Sequence, residues 1–181
     1  MADFFLPYTT GLDNTVKVIK EWKRLYEQKI VDDIANYFEK CGFTKVCKNM
    51  DLQKMDKADK SLLRLGDYDV FAVDTVHKKL WIIECKMLTK VGSFYEMFMQ
   101  QNDFFYKKKE DEHFQTRIDF MKHNYHKVLA YQNCEDESDY EIIPYMAMNK
   151  VMTSRYKKIG FPIVSISELY AEIDKWNSIY K

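Results

Sequence analysis

Glycine and proline are scarce in this chain, with five Gly and three Pro in 181 residues. That leaves no material for a collagen-like, linker-like or low-complexity segment and favours an ordered globular fold. Cysteine is sparse too. Cys41, Cys47, Cys85 and Cys134 form no C-x-x-C pair, which argues against a paired-cysteine metal site and reads as reduced thiols in an intracellular protein. His113, His123 and His126 do not flank them at zinc-finger spacing. Charge of either sign is also missing in the net: 28 basic and 28 acidic residues leave zero. A nucleic-acid partner would have to be held by local basic patches, since no global positive field exists. No apolar run approaches the roughly 18 residues of a membrane span, and the opening MADFFLPYTT has no basic region ahead of an apolar one. The expectation is a cytoplasmic protein with no membrane partner.

What is present is a chain 46% hydrophobic and 31% charged, long enough to bury a real core as one domain over residues 1–181, with 1–14 as an extension. Residues 14–41 carry a helical stripe (Ile19, Trp22, Tyr26, Ile30, Ile34, Tyr37, Phe38) closed by Gly42. Phe43 to Val46 reads as a strand, and Lys48 to Arg64 as a lysine-rich loop with one helical turn near Leu62. Two further helical stripes follow, Phe94/Phe98/Gln101/Phe105 and Phe114/Ile118/Met121/Tyr125, after a turn at Lys90-Val91-Gly92-Ser93. Lys127 to Tyr131 reads as a short strand and Glu135 to Asp139 as an acidic surface turn. Glu141 to Met148 and Phe161 to Ile166 read as strands, and Ser167 as the cap of a last helix from Glu168 to Trp176. The order implies an α/β fold, a sheet covered by helices.

The most informative stretch is GDYDVFAVDTVHKKLWIIECK, Gly66 to Lys86. It reads as two short apolar strands joined by a polar turn. Period two places Glu84 and Lys86 on one sheet face with Ile83 and Cys85 on the other, and puts Asp67 and Asp69 on a common face of the preceding strand. Carboxylates at the ends of adjacent apolar strands are costly unless a cation compensates them. The triplet Glu-x-Lys alone says nothing, because Glu21-Trp22-Lys23 and Glu27-Gln28-Lys29 repeat it in the first helix. Context separates Glu84-Cys85-Lys86: it ends an apolar strand and follows a strand carrying Asp69. A hard divalent ion needs few protein oxygens because it keeps several waters, and a neighbouring lysine can orient an attacking water or offset developing charge.

Gly-Asp-Tyr-Asp-Val-Phe-Ala followed by Trp-Ile-Ile-Glu-Cys-Lys resembles the PD-(D/E)xK, or restriction-endonuclease-like, nuclease superfamily. The resemblance runs from about Glu27 to Trp176. It implies a mixed sheet of four to five strands flanked by helices, and Mg²⁺ or Mn²⁺ held by Asp69, Glu84 and the Cys85 backbone carbonyl. Lys86 becomes the catalytic lysine, and DNA, duplex before single-stranded, the substrate. The implied setting is bacterial restriction, repair or defence, as a homodimer or part of a larger assembly. The superfamily's proline is absent here.

Relatives often add an acid from the first helix. At about 100° per residue, Ile19, Ile30, Ile34, Tyr37 and Phe38 define the buried arc. Glu27 falls inside it, Asp33 at its edge and Asp32 outside, so Glu27 is the expected third acid. Asp67 is expected behind Asp69. Gln101 is expected near the site by partial likeness to the Q-x-x-x-Y motif of some branches, although the residue four positions on is Phe105. Lys107, Lys108, Lys109 and Arg117 are the expected nucleic-acid contacts. Two alternatives stay open: a non-catalytic nucleic-acid-binding or assembly module on the same fold, and an RNA nuclease.

Overall fold

The computed structural model describes residues 12–88, 92–134, 138–150 and 159–180. The chain runs α1 (Leu12–Lys40), β1 (Lys45–Asp51), β2 (Asp67–Asp74), β3 (Lys79–Lys86), α2 (Phe94–Asn102), α3 (Glu110–Tyr131), β4 (Glu141–Met148), β5 (Ile163–Ser165) and α4 (Ile166–Tyr180). The five strands lie in chain order in one sheet. β1, β2 and β3 are antiparallel neighbours, whereas β4 and β5 are added in parallel. The α/β expectation, with a mixed sheet of four to five strands, holds.

Alternation along β3 divides the core in two. Leu80 and Ile82 pack with Phe114, Ile118 and Met121 of α3, while Trp81 and Ile83 pack with Ile34 and Phe38 of α1 and Leu169 and Ile173 of α4. Helices therefore cover both faces, and Glu84 and Lys86, in phase with Ile82, project to the α3 side.

α1 stops where its sequence says it should. Gly42 takes a left-handed φ of +80°, and the amides of Gly42 and Phe43 donate to the carbonyls of Glu39 (3.0 Å) and Phe38 (3.3 Å). Those paired bonds satisfy carbonyls the helix end would otherwise orphan, and the accompanying apolar contact is Phe38 edge-on to Phe43 at 4.8 Å. Phe43 thus serves the cap, and the first strand begins at Lys45 instead. The start of α4 also lies two residues ahead of expectation. Ser165, not Ser167, is the cap: its hydroxyl accepts from the Glu168 amide (3.2 Å) while the Glu168 carboxylate accepts from the Ser165 amide (2.8 Å). That reciprocal pair also ends β5 at Ser165, three residues after Pro162. Ser165→Ala is expected to lower unfolding free energy by about 1 kcal/mol, measurable by chemical denaturation, with Ser167→Ala close to neutral.

Other expectations are corrected. Ile19, Trp22 and Tyr26 are exposed (51%, 59% and 52%), because burial along α1 begins only at Ile30, where the helix lies over the sheet. Phe94 and Phe98 are likewise exposed (86% and 65%), while Phe104 and Phe105 are buried. A π-helical turn at Asp103–Lys107, followed by Lys109 at φ +51°, breaks the phase of that stripe and separates α2 from α3. The proposed strand at Lys127–Tyr131 is the last turn of α3, with Val128 and Leu129 continuing the buried face of Met121. Of the expected turns and basic stretches, residues 89–91, 135–137 and 151–158 lie outside the described residues.

Candidate active site

The β2–β3 ladder ends at Val70↔Ile83. Its next pair would be Asp69 and Glu84, and there the strands part. Beyond the ladder's end the Cys85 amide donates to a side chain, Asp69 Oδ2, at 2.6 Å. The same point disturbs β2 on its other side. Asn49, opposite Asp69 on β1, has φ +48°, and the ladder skips that pair between Lys48↔Val70 and Met50↔Tyr68. Strict alternation would place Tyr68 with Val70. It lies with Phe71 on the α3 side instead, its hydroxyl donating to the Arg117 carbonyl at 2.7 Å. Alternation therefore does not carry through Asp69, and the expected common face with Asp67 gives way to an exposed Asp67 and a partly buried Asp69.

Glu84 is buried, its side chain 5% exposed, and two cations reach it. Lys86 Nζ lies 2.8 Å from Oε1, and Arg117 Nη2 lies 2.5 Å from Oε2. The arginine contact is one of charges more than an aligned hydrogen bond, since Glu84 Oε2 and Arg117 Nε both lack a hydrogen-bond partner. Arg117 Nη1 also donates to the Leu65 carbonyl at 3.3 Å. Gly66, at φ +77°, makes the turn that follows that carbonyl, a conformation few other residues adopt. Lys86 has a second anchor, Glu110 Oε2 at 2.9 Å, from the first turn of α3. Asp69, Glu84, Lys86, Glu110 and Arg117 thus form one cluster of three acids and two bases.

Electrostatics couples its members. Burial, then the neighbouring Glu84 charge, push the Asp69 carboxyl from its ordinary 3.8 up to about 7, against the Cys85 amide and Lys86, which pull it down. Burial alone would lower the Lys86 ammonium, but Glu84 and Glu110 outweigh it and hold the group above its usual range. Lys86 is therefore a hydrogen-bond donor and a fixed positive charge at neutral pH, not a base. Burial, with Asp69 and Glu84, pushes the Cys85 thiol well up, so that thiol is not a nucleophile.

No family model, no curated protein and no solved structure matches this chain. The site is left to be read from its own chemistry.

A cavity of about 490 Å³ opens over Lys86. Its walls include Lys23 and Glu27 from α1, Met99 and Gln100 from α2, Asp103 and Phe104 from the π turn, and Glu110. Glu27 lines this space, but its side chain is 41% exposed, not buried as its place on the arc implied, and pairs with Lys23 at 3.7 Å. The acid from a helix that pairs with Lys86 is Glu110. Gln100, not Gln101, lines the cavity. Lys107 and Lys108 are exposed and pair with Asp103 (3.6 and 3.1 Å), and Lys109 pairs with Glu112 (3.0 Å). Arg117, expected among these surface contacts, is instead 11% exposed and turned inward to Glu84. Nothing in the sequence separates Glu110 from Asp111 and Glu112; three acids in a first helical turn are accounted for by the helix dipole alone.

Among the described residues no group of three or more Asp, Glu, His or Cys side chains is arranged to hold a metal. A hard divalent ion does not require one, since it is held by one or two carboxylates and keeps several waters. The donor set fits such an ion in one respect: the Glu84 charge opposes the ionisation of buried Asp69, and a cation between them would relieve that. Glu110→Gln removes one of the two carboxylates fixing Lys86. It is expected to lower kcat of the reaction proposed below by roughly tenfold with KM unchanged, a split that steady-state kinetics resolves.

Proposed function

We propose that this chain is a divalent-ion-dependent nuclease that hydrolyses DNA phosphodiester bonds, built on a restriction-endonuclease-like core. The supporting observation is the parting of β2 and β3 at Asp69, whose carboxylate takes the Cys85 amide between Glu84 and Lys86, the lysine itself lining the cavity. A bound Mg²⁺ or Mn²⁺ would supply Lewis-acid polarisation of the phosphate and a more acidic water. Asp69, with the Cys85 amide fixing one of its oxygens, and Glu84 would hold the ion; the Cys85 carbonyl, on a segment laddered to β4 at Ala147, is the proposed backbone ligand. Lys86, kept as an ammonium between Glu84 and Glu110, would orient the water and offset charge on the phosphate oxygens. Lys107, Lys108 and Lys109 are the proposed contacts to the DNA backbone.

A second reading has its own support. Glu84 is already covered by Lys86 and Arg117, an arrangement that would also suit a non-catalytic nucleic-acid-binding or assembly module. Incubating plasmid, linear duplex, single-stranded DNA and RNA with Mg²⁺ or Mn²⁺ separates the readings. DNA cleavage lost on chelation and in Asp69→Asn supports the nuclease. Cleavage of RNA alone reassigns the substrate, and ion-independent binding without cleavage favours the module.

A further inference from the structure

We infer that Arg117 is the site's resident counter-ion, which holds Glu84 while no divalent ion is bound and must release it when one binds, so that Arg117 sets the site's affinity for the ion. The inference rests on the nuclease reading above.

Both Glu84 oxygens are engaged by positive groups, and the carboxylate is buried. A divalent ion arriving at either oxygen would stand a few ångströms from a guanidinium or an ammonium, at a depth where water screens poorly. One of the two cations has to give way. Lys86 is gripped by two carboxylates, Glu84 and Glu110, at 2.8 and 2.9 Å. Arg117 is gripped by one. Its remaining contacts are with neutral groups, the Leu65 carbonyl at 3.3 Å and the Phe114 ring face at 5.6 Å; its Nε has no hydrogen-bond partner, and its contact with Glu84 Oε2 is poorly aligned. The charge held less firmly is the one that yields.

The arrangement also explains why an arginine is there. Without an ion, Asp69, Glu84 and Glu110 are three acids against Lys86 alone, and a buried carboxylate lacking a full partner destabilises the fold. Arg117 provides the missing charge. The guanidinium reaches Glu84 from α3, whereas the proposed ion ligands sit on β2 and β3, so releasing it breaks neither ladder.

The test is calorimetric titration of Mn²⁺ into the full chain without nucleic acid, for wild type, Arg117→Gln, Arg117→Lys and Glu84→Gln. The expected result is binding at least about fivefold tighter in Arg117→Gln, an intermediate value in Arg117→Lys and weak or no binding in Glu84→Gln. A folded Arg117→Gln that binds Mn²⁺ no more tightly than wild type overturns the inference and leaves the nuclease reading standing. Wild type that binds no Mn²⁺ at millimolar concentration overturns both. Should Arg117→Gln fail to fold, Mg²⁺ is titrated into ¹⁵N-labelled wild type and the Arg117 Nε–H resonance followed, assigned with Arg117→Lys. A shift saturating with ion binding supports the release; an unmoved resonance through saturation overturns it.

Discussion

Lys86→Ala is expected to slow Mg²⁺- or Mn²⁺-dependent DNA cleavage by about 10²–10³-fold, the usual cost of removing one positioned donor from a site where charge develops. Lys86 combines two properties that the proposed chemistry needs. Its Nζ is held at 2.8 and 2.9 Å from Glu84 and Glu110, so its direction is fixed. Those same carboxylates keep it protonated against the effect of burial. Alanine removes the charge and leaves two acids facing each other across the gap. Arginine at this position would restore charge without the compact geometry, and is expected to recover little of the rate. Single-turnover cleavage at saturating ion measures the effect. Activity unchanged in a folded Lys86→Ala protein would remove Lys86 from the mechanism.

The second large effect concerns stability. Asp69 is pushed to about 7 by burial and by Glu84, whereas in the unfolded chain it returns to its ordinary 3.8. Between those values the folded protein binds a proton that the unfolded chain does not, so stability falls as pH rises. The contribution is present in full below about pH 4 and is lost as pH rises through 7. Its slope is at most about 1.4 kcal/mol per pH unit, because a single proton is involved. Asp32, Asp59, Asp74 and Asp103 are shifted down and titrate below this window.

Asp69→Asn keeps an oxygen to accept the Cys85 amide but removes the charge that Glu84 opposes. Without divalent ions the variant is therefore expected to be more stable than wild type at pH 8 and to show a flatter profile between pH 5 and 8. Added Mn²⁺ should raise the melting temperature of wild type and not that of the variant, since only a protein that binds the ion gains from it. Denaturant melts at fixed ionic strength, with EDTA and with Mn²⁺, test both signs. A wild-type profile that rises from pH 5 to 8 would contradict the placement of Asp69.

The candidate site was legible in part because strands write their geometry locally. The alternation Leu80-Trp81-Ile82-Ile83 sets which way Glu84 and Lys86 point, and the two other Glu-x-Lys triplets lie in α1, where a helix offers no such strand end. Arg117 and Glu110 carried no comparable mark. They were one residue among many basic ones and one acid in a run of three, and they matter only because α3 crosses the face toward which Glu84 points. The Phe94/Phe98/Phe105 stripe misled for a related reason. Periodicity assumes an unbroken helix, and the π turn before Lys109 changes which phenylalanines face inward.

By itself the order of residues determined the α/β class, the hairpin of β2 and β3, the glycine stop of α1 and the side of the sheet on which Glu84 and Lys86 stand. These follow from interactions among residues close in the chain: backbone sterics, alternation and capping. Only the tertiary structure decided that β2 and β3 part at Asp69, that Glu110 anchors Lys86 and that Arg117 closes over Glu84. Those contacts join residues distant in sequence, and they depend on where α3 settles once the apolar faces on both sides of the sheet are buried.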